Sequence, residues 1–322
     1  MKMDITACID NQFAMPTGVM LYSVCVNNPD VPIVFHIITS PDVTDDNKKR
    51  IERTVTTFPE KSICFYDFTC HSLKRFPALE RRKNITEVTY YRLWLAEVLP
   101  ANIEKILYLD GDIIVRHSLE SLWNTDIRRH AIAAVPNMNE NNTNRYLRLG
   151  IPQQNGYFNA GVLLVNLSWW RRENSLDQFI DVINKVQDRL HAHDQDVLNI
   201  VFNNARLSLP IKYNLQSGHL YAIPQYDFKK YQDEVMEARE DPVIIHYTLD
   251  KPWYTYNRYT HPFSNSFVKY QMQTEWKDEP LWEIRSKYVQ VRKRIAITLR
   301  RLGILPELQP NGCEYINIKP ID

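Results

Sequence analysis

The chain has 322 residues, 44% of them hydrophobic, with 39 basic against 38 acidic side chains and a formal net charge of +1. That length can bury one large core or two smaller ones, and the near-neutral balance gives no global field to attract nucleic acid. The opening "MKMDITACID" lacks an apolar stretch of signal-peptide length, no run reaches the roughly 18 apolar residues of a spanning helix, and Cys8, Cys25, Cys64, Cys70 and Cys313 form no CxxC pair, so a cytoplasmic protein is expected.

In chain order, "DITACI" (4–9) predicts a strand and residues 16–26 a helix. "PIVFHII" (32–38) predicts a second strand, and Thr44 a cap for a helix through "DDNKKRIERTV", with Asp45 and Asp46 at its positive end. A strand "SICFYDF" (62–68), a helix "TYYRLWLAEVL" (89–99) and a strand "KILYLD" follow. Then come strands "AIAAVP" (131–136) and "YFNAGVLLVNL" (157–167), helices near 175–190 and 194–203, and a last strand "PVIIHY" (242–247). The alternation implies an α/β fold, a mainly parallel sheet flanked by helices, with ligands beyond the carboxyl ends of the strands. Asp10 and Asp110 both fall at such ends.

No GxGxxG occurs among the eight glycines, and the Walker-like pair Gly156 and Gly161 is followed by Val162 and Leu163 rather than by Lys and Ser or Thr. A phosphorylated ligand would therefore need another neutralising group. Asp110 and Asp112 flank Gly111 between the apolar runs Ile106–Leu109 and Ile113–Val115. In extended backbone residues i and i+2 point the same way, so the two carboxylates would converge and repel unless a hard cation such as Mn²⁺ or Mg²⁺ joined them. Gly111 would let a ligand approach the backbone. A second DxD, Asp194-Gln195-Asp196, shows how little the tripeptide says alone. His191 and His193 nearby lie two apart on a helix and so do not share a face.

Four blocks in order, "ILYLDGDIIVRHSLESLW", "GYFNAGVLLVNLSWWR", "HDQDVLN" and "HYTLDKPW", resemble the retaining glycosyltransferases of family 8, especially bacterial lipopolysaccharide galactosyl- and glucosyltransferases. The resemblance covers about residues 4–262 and implies the GT-A fold of nucleotide-diphospho-sugar transferases, a UDP-hexose donor and Mn²⁺. It implies metal ligation by Asp110, Asp112 and His246, and contact of Lys251 with the diphosphate. Asp10, Asn11, Gln12 and Phe13 stand where the family usually reads Asp-x-Asn-Tyr. The resemblance sets that group against uridine, with Phe13 able to stack as Tyr would and Gln12 one methylene longer than Asn. It assigns Arg92, Asn159, Asp194 and Gln195 to the donor sugar, and leaves Asp196 to structure.

The resulting expectation is a metal-dependent hexosyltransferase in lipopolysaccharide or other cell-surface glycan synthesis. It would move galactose or glucose from a UDP-sugar to a saccharide or glycolipid with retention, by a front-side path in which the departing phosphate helps deprotonate the acceptor. A silent sugar-nucleotide-binding module would tolerate loss of the acidic pair or of His246, and this chain keeps all three. A pyrophosphorylase would carry a glycine- and basic-rich loop near its start, and "DNQFAMPTGV" has none. An inverting transferase would need a carboxylate base beside the acceptor.

The catalytic domain is expected over 1–262, followed by a helical, basic region over 263–322. Residues 284–302 carry seven Lys or Arg and no acid, with apolar residues at helical spacing. Such a helix can lie on an anionic inner leaflet as a peripheral contact, or pack on the catalytic domain with its charges in water.

Overall fold

The computed structural model describes residues 2–68, 87–220, 229–249, 251–254 and 261–282, with six further positions between 291 and 304. Strands β1 (Met3–Ile9), β2 (Ile33–Thr39) and β3 (Lys61–Asp67) alternate with helices α1 (Ala14–Asn27) and α2 (Asp45–Thr56). Thr44 caps α2 through its hydroxyl, which accepts from the Asn47 amide, as its position predicts. Next come β4 (Lys105–Leu109), β5 (Ile113–Val115), β6 (Ile132–Pro136) and β7 (Phe158–Asn166). The short strands β8 (Arg206–Ser208), β9 (Leu215–Gln216) and β10 (Ile244–His246) complete the set.

The large sheet has seven strands in the order β3-β2-β1-β4-β7-β6-β8. β3, β2, β1 and β4 run parallel, β7 runs antiparallel to both β4 and β6, and β8 lies parallel to β6. The carboxyl ends of β1 and β4 therefore meet the amino end of β7 at one edge. β5, β10 and β9 form a separate three-stranded sheet. Short links out of the large sheet into the small one thus carry side chains across that edge.

The apolar runs follow from burial on both faces. In β4, Leu107 and Leu109 join the core on the α1 side, and Ile106 and Tyr108 join the core on the other. α1 is apolar nearly all round because it is covered twice, by the sheet and by residues from the far end of the chain. Phe263, Phe267 and Trp276, which follow the boundary expected at 262, are buried in the same core as α1. Arg50 of α2 stacks 4.5 Å from the Trp276 ring centroid and pairs with Glu279 at 2.7 Å, while Arg53 pairs with Glu275 at 2.7 Å. The basic stretch 284–302 lies mostly outside the described residues, although Val291 and Ile295 are exposed. No helix among the described residues is long and apolar enough to cross a membrane.

The segment expected as one helix over 89–99 is instead a 3₁₀ helix over Glu87–Trp94 running into a single α turn, Leu95–Val98. With three residues per turn, Val88, Tyr91 and Trp94 share one edge, and Thr89 and Arg92 another. Tyr91 stacks on Phe68 at 3.8 Å, and Trp94 meets Phe68 edge-on. Apolar spacing alone does not separate the two helix types; the aromatic packing decides here.

Candidate active site

Asp110 leaves β4, and Gly111 and Asp112 form a turn that hands the chain to β5 in the small sheet. The two carboxylates therefore converge through a turn between sheets, not through the extended backbone that the sequence suggested. Two backbone hydrogen bonds hold the turn: Asp110 N–H to Gly161 O at 2.9 Å, and Tyr247 N–H to Asp112 O at 3.0 Å. The second brings β10 alongside, and His246 pairs with Ile113 across an antiparallel register.

His246 Nε2 consequently lies 3.7 Å from Asp110 Oδ2 and 3.2 Å from Asp112 Oδ1. One ligand atom from each of the three residues falls within 4.8 Å of the others. Two carboxylates and an imidazole within this reach are a donor set that suits Mn²⁺. The residues present fit such an ion. Burial alone would raise the Asp112 carboxyl, but the Lys251 ammonium and His246 outweigh it and hold it below the carboxylate range. Lys251 pairs directly with Asp112. This places its ammonium at the acidic turn.

Two glycines make the corner possible. A Cβ on Gly161 of β7 would lie 2.2 Å from His246 Cε1 and 2.8 Å from Asp110 Oδ2. A Cβ on Gly111 would lie 2.5 Å from the Thr17 hydroxyl and 3.2 Å from the Phe13 ring. Gly111 thus lets α1 approach the acidic turn, a demand of packing distinct from the ligand access inferred from sequence.

Beside the cluster is a pocket lined by Cys8, Asp10, Phe13, Thr89, Arg92 and Tyr108 together with the acidic turn. Arg92 is buried and serves several partners at once. It pairs with Asp110 at 3.0 Å, donates to Ala160 O at 2.7 Å, and lies over the Tyr108 ring at 4.5 Å. Its Nε also stands 2.9 Å from Asp194 Oδ2, an ion pair without hydrogen-bond alignment. Burial would lower the guanidinium, yet Asp110 and Asp194 outweigh it and keep Arg92 protonated well above its ordinary value. Burial pushes the Asp194 carboxyl up to about 7, against the pull of Arg92 and with a further push from Asp110.

Phe13 is half-buried and meets Trp253 edge-on at 6.0 Å. Asp10 turns its carboxylate back to accept from the Phe13 amide at 2.9 Å, bending the chain into α1. Asn11 braces the neighbouring loop, its side-chain oxygen accepting from Thr44 N and Asn47 Nδ2 at 3.0 and 2.8 Å. Gln12 is exposed at the rim. Asn159 and Gln195 lie together, joined at 3.2 Å. Asp196 is fully buried; it accepts from the His191 and Ala192 amides and from the Tyr157 hydroxyl, holding the start of its own helix.

Three further residues shape the site. Tyr108 donates to Asp110 Oδ1 at 2.8 Å, Gly161 provides the space just described, and Asn214 meets His246. A glycine inside a nine-residue buried strand is itself a sign of close approach. Asn214, in the loop before β9, carries no comparable signal.

A parallel half-sheet whose strand ends deliver an acidic turn, met by a small second sheet, is the arrangement of GT-A glycosyltransferases. The solved galactosyltransferase LgtC, in complex with donor and acceptor sugar analogs, shares it with a TM-score of 0.74 at 26% identity, covering 85% of this chain and 96% of that one. The model of glycosyl transferase family 8 matches residues 4–256, and the chain belongs to that family. Among curated relatives, the lipopolysaccharide 1,3-galactosyltransferase of Salmonella typhimurium is 30% identical over 282 residues, 85% of this chain and 79% of its own. General stress protein A of Bacillus subtilis is 26% identical over 278 residues, 85% and 94% respectively. A lipopolysaccharide 1,2-glucosyltransferase of Escherichia coli is 29% identical over 257 residues, 78% and 73%.

Proposed function

We propose that this glycosyltransferase moves galactose or glucose from a UDP-sugar to a saccharide or glycolipid acceptor in cell-surface glycan synthesis, with retention at the anomeric carbon. The observation that carries the reading is the meeting of Asp110, Asp112 and His246 beside a pocket that ends on Asp10 and Phe13. The relatives named for lipopolysaccharide galactosyl and glucosyl transfer support the substrate class.

Asp110, Asp112 and His246 would hold a divalent cation, Mn²⁺ or Mg²⁺, which when bound supplies positive charge against the diphosphate. Lys251 adds a further cationic group at the same corner. Phe13 offers its face to the uracil, and Asp10 an acceptor at the end of β1. Asn11 and Gln12 line the approach to that end. Arg92, Asn159, Asp194 and Gln195 orient the hexose.

Gln195 is a poor nucleophile, and its oxygen is already engaged by the Ala160 amide at 2.9 Å. Asp194 is buried against Arg92, with its carboxyl raised. A front-side displacement needs neither. The bond from the anomeric carbon to the departing phosphate oxygen breaks, the acceptor oxygen forms its bond on the same face, and the acceptor proton passes to that phosphate oxygen. A glycosyl adduct trapped on Asp194 and seen by mass spectrometry would replace this path with double displacement.

A screen of UDP-sugars for hydrolysis without acceptor is expected to single out UDP-galactose or UDP-glucose, with turnover that needs Mn²⁺. Asp112→Asn is expected to abolish that turnover while leaving the fold intact by circular dichroism. Full activity in the variant, or in excess EDTA, would refute the proposal. An anionic-vesicle assay on the chain with and without residues 283–322 tests membrane contact by the basic stretch.

A further inference from the structure

The His246 imidazole can offer Nε2 to a cation only while its proton sits on Nδ1. A buried relay behind the site decides that. His246 Nδ1 lies 2.9 Å from Asn214 Oδ1, and Asn214 Nδ2 donates to Asn159 Oδ1 at 2.8 Å. Asn159 Nδ2 donates to Gln195 Oε1 at 3.2 Å, and Gln195 Nε2 to the Tyr157 hydroxyl at 3.0 Å. Tyr157 donates in turn to Asp196 Oδ1 at 2.6 Å.

Amide oxygen and nitrogen have nearly the same shape, so the direction of such a chain must be read from groups that cannot exchange roles. Three anchors provide it. The Gly161 N–H, 2.9 Å away, can only donate, so the Asn159 atom it meets is oxygen. The Ala160 N–H, also at 2.9 Å, identifies the Gln195 oxygen in the same way. The Asp196 carboxylate already accepts from two backbone amides, at 2.8 and 2.9 Å, and so accepts from Tyr157 too. Every link then points away from the imidazole. Asn214 spends its nitrogen on Asn159 and has only its oxygen left for His246. Nδ1 therefore carries a proton, and Nε2, the ring nitrogen that faces Asp110 and Asp112, is the one left to bind a cation there.

We infer that Asn214 is a positioning residue, holding His246 in the Nδ1–H tautomer and tying the imidazole to the Asn159 and Gln195 amides. It is fully buried and acts through His246. The inference rests on reading Asp110, Asp112 and His246 as a cation site, and the test separates the two. Mn²⁺ affinity is measured by calorimetry, and nitrogen coordination by ¹⁴N modulation in pulsed electron paramagnetic resonance. Asn214→Leu, which has the same branching but cannot accept, is expected to weaken Mn²⁺ by about 10–100-fold and to lose the modulation. Asn214→Asp, which keeps an acceptor for Nδ1–H, is expected to retain it. A folded Asn214→Leu chain with wild-type affinity and modulation overturns the role of Asn214 alone. A wild-type chain without Mn²⁺ affinity overturns the cation reading, and with it this role. ¹⁵N spectra of the cation-free wild-type chain need no variant: a proton on Nε2 with a bare Nδ1 would also overturn the inference.

Discussion

At the scale of single residues, the site depends as much on missing atoms as on present ones. Gly161 has no side chain because His246 and Asp110 occupy the space where one would stand. Gly161→Ala is expected to displace the imidazole and the carboxylate together. Overpacking of this kind costs about 1–3 kcal/mol, so the chain should still fold while Mn²⁺ affinity falls at least about tenfold. Calorimetric titration beside a thermal melt checks both parts; unchanged affinity would show that the corner does not need this space. Arg92 illustrates the converse. A guanidinium serving Asp110, Asp194 and the Ala160 carbonyl at once is buried because each partner is fixed by a different element. The sequence offered the acidic pair and Arg92 as conspicuous charges in apolar surroundings. It offered no sign of Asn214, because hydrogen-bond partnership between residues 32 positions apart leaves no local pattern.

At the scale of elements, α1 shows how a helix is specified from both sides. Gly18 lies in its interior, where glycine ordinarily costs about 0.5–1 kcal/mol relative to alanine. Propensity alone therefore expects Gly18→Ala to stabilise the protein. A Cβ there would stand 2.2 Å from the Trp276 ring, so the structure expects the opposite sign. A urea midpoint lowered by an amount equivalent to about 1–3 kcal/mol would support this close fit, and a raised midpoint would contradict it. The longer strands were legible because each is either doubly buried or flanked by turn residues, whereas β5, β8 and β9, of two or three residues, are too short to show a pattern. The 3₁₀ form of Glu87–Trp94 was not, since its aromatic spacing is also compatible with an α-helix until Phe68 arrives from another part of the chain.

At the scale of the whole molecule, the large sheet and the small one share a core, so groups buried in different parts of it influence stability together. Burial holds the His219 and His261 imidazoles down to about 3, with Arg239 adding to the effect at the first and Lys251 at the second. In the unfolded chain each would take a proton near pH 6.5, so between about 3 and 6.5 the unfolded state binds more protons. Stability is then expected to fall as pH drops through that window, by up to about 1.4 kcal/mol per pH unit for each histidine. Urea midpoints from pH 7 to pH 4 should fall less steeply in His219→Gln, which keeps an acceptor for the Gln216 amide. Parallel curves for the two proteins would assign the acid sensitivity elsewhere.

The sequence by itself determined the strand–helix alternation, the absence of a glycine-rich phosphate loop, and the residues that could carry chemistry at the strand ends. These are properties of neighbours along the chain: periodicity, turn residues, and charges set in apolar runs. Only the tertiary structure decided that the acidic pair meets His246 through a turn joining two sheets, which amide fixes that imidazole, and which glycines leave the space. Those outcomes depend on contacts between segments far apart along the chain, and local pattern does not encode the register in which such segments meet.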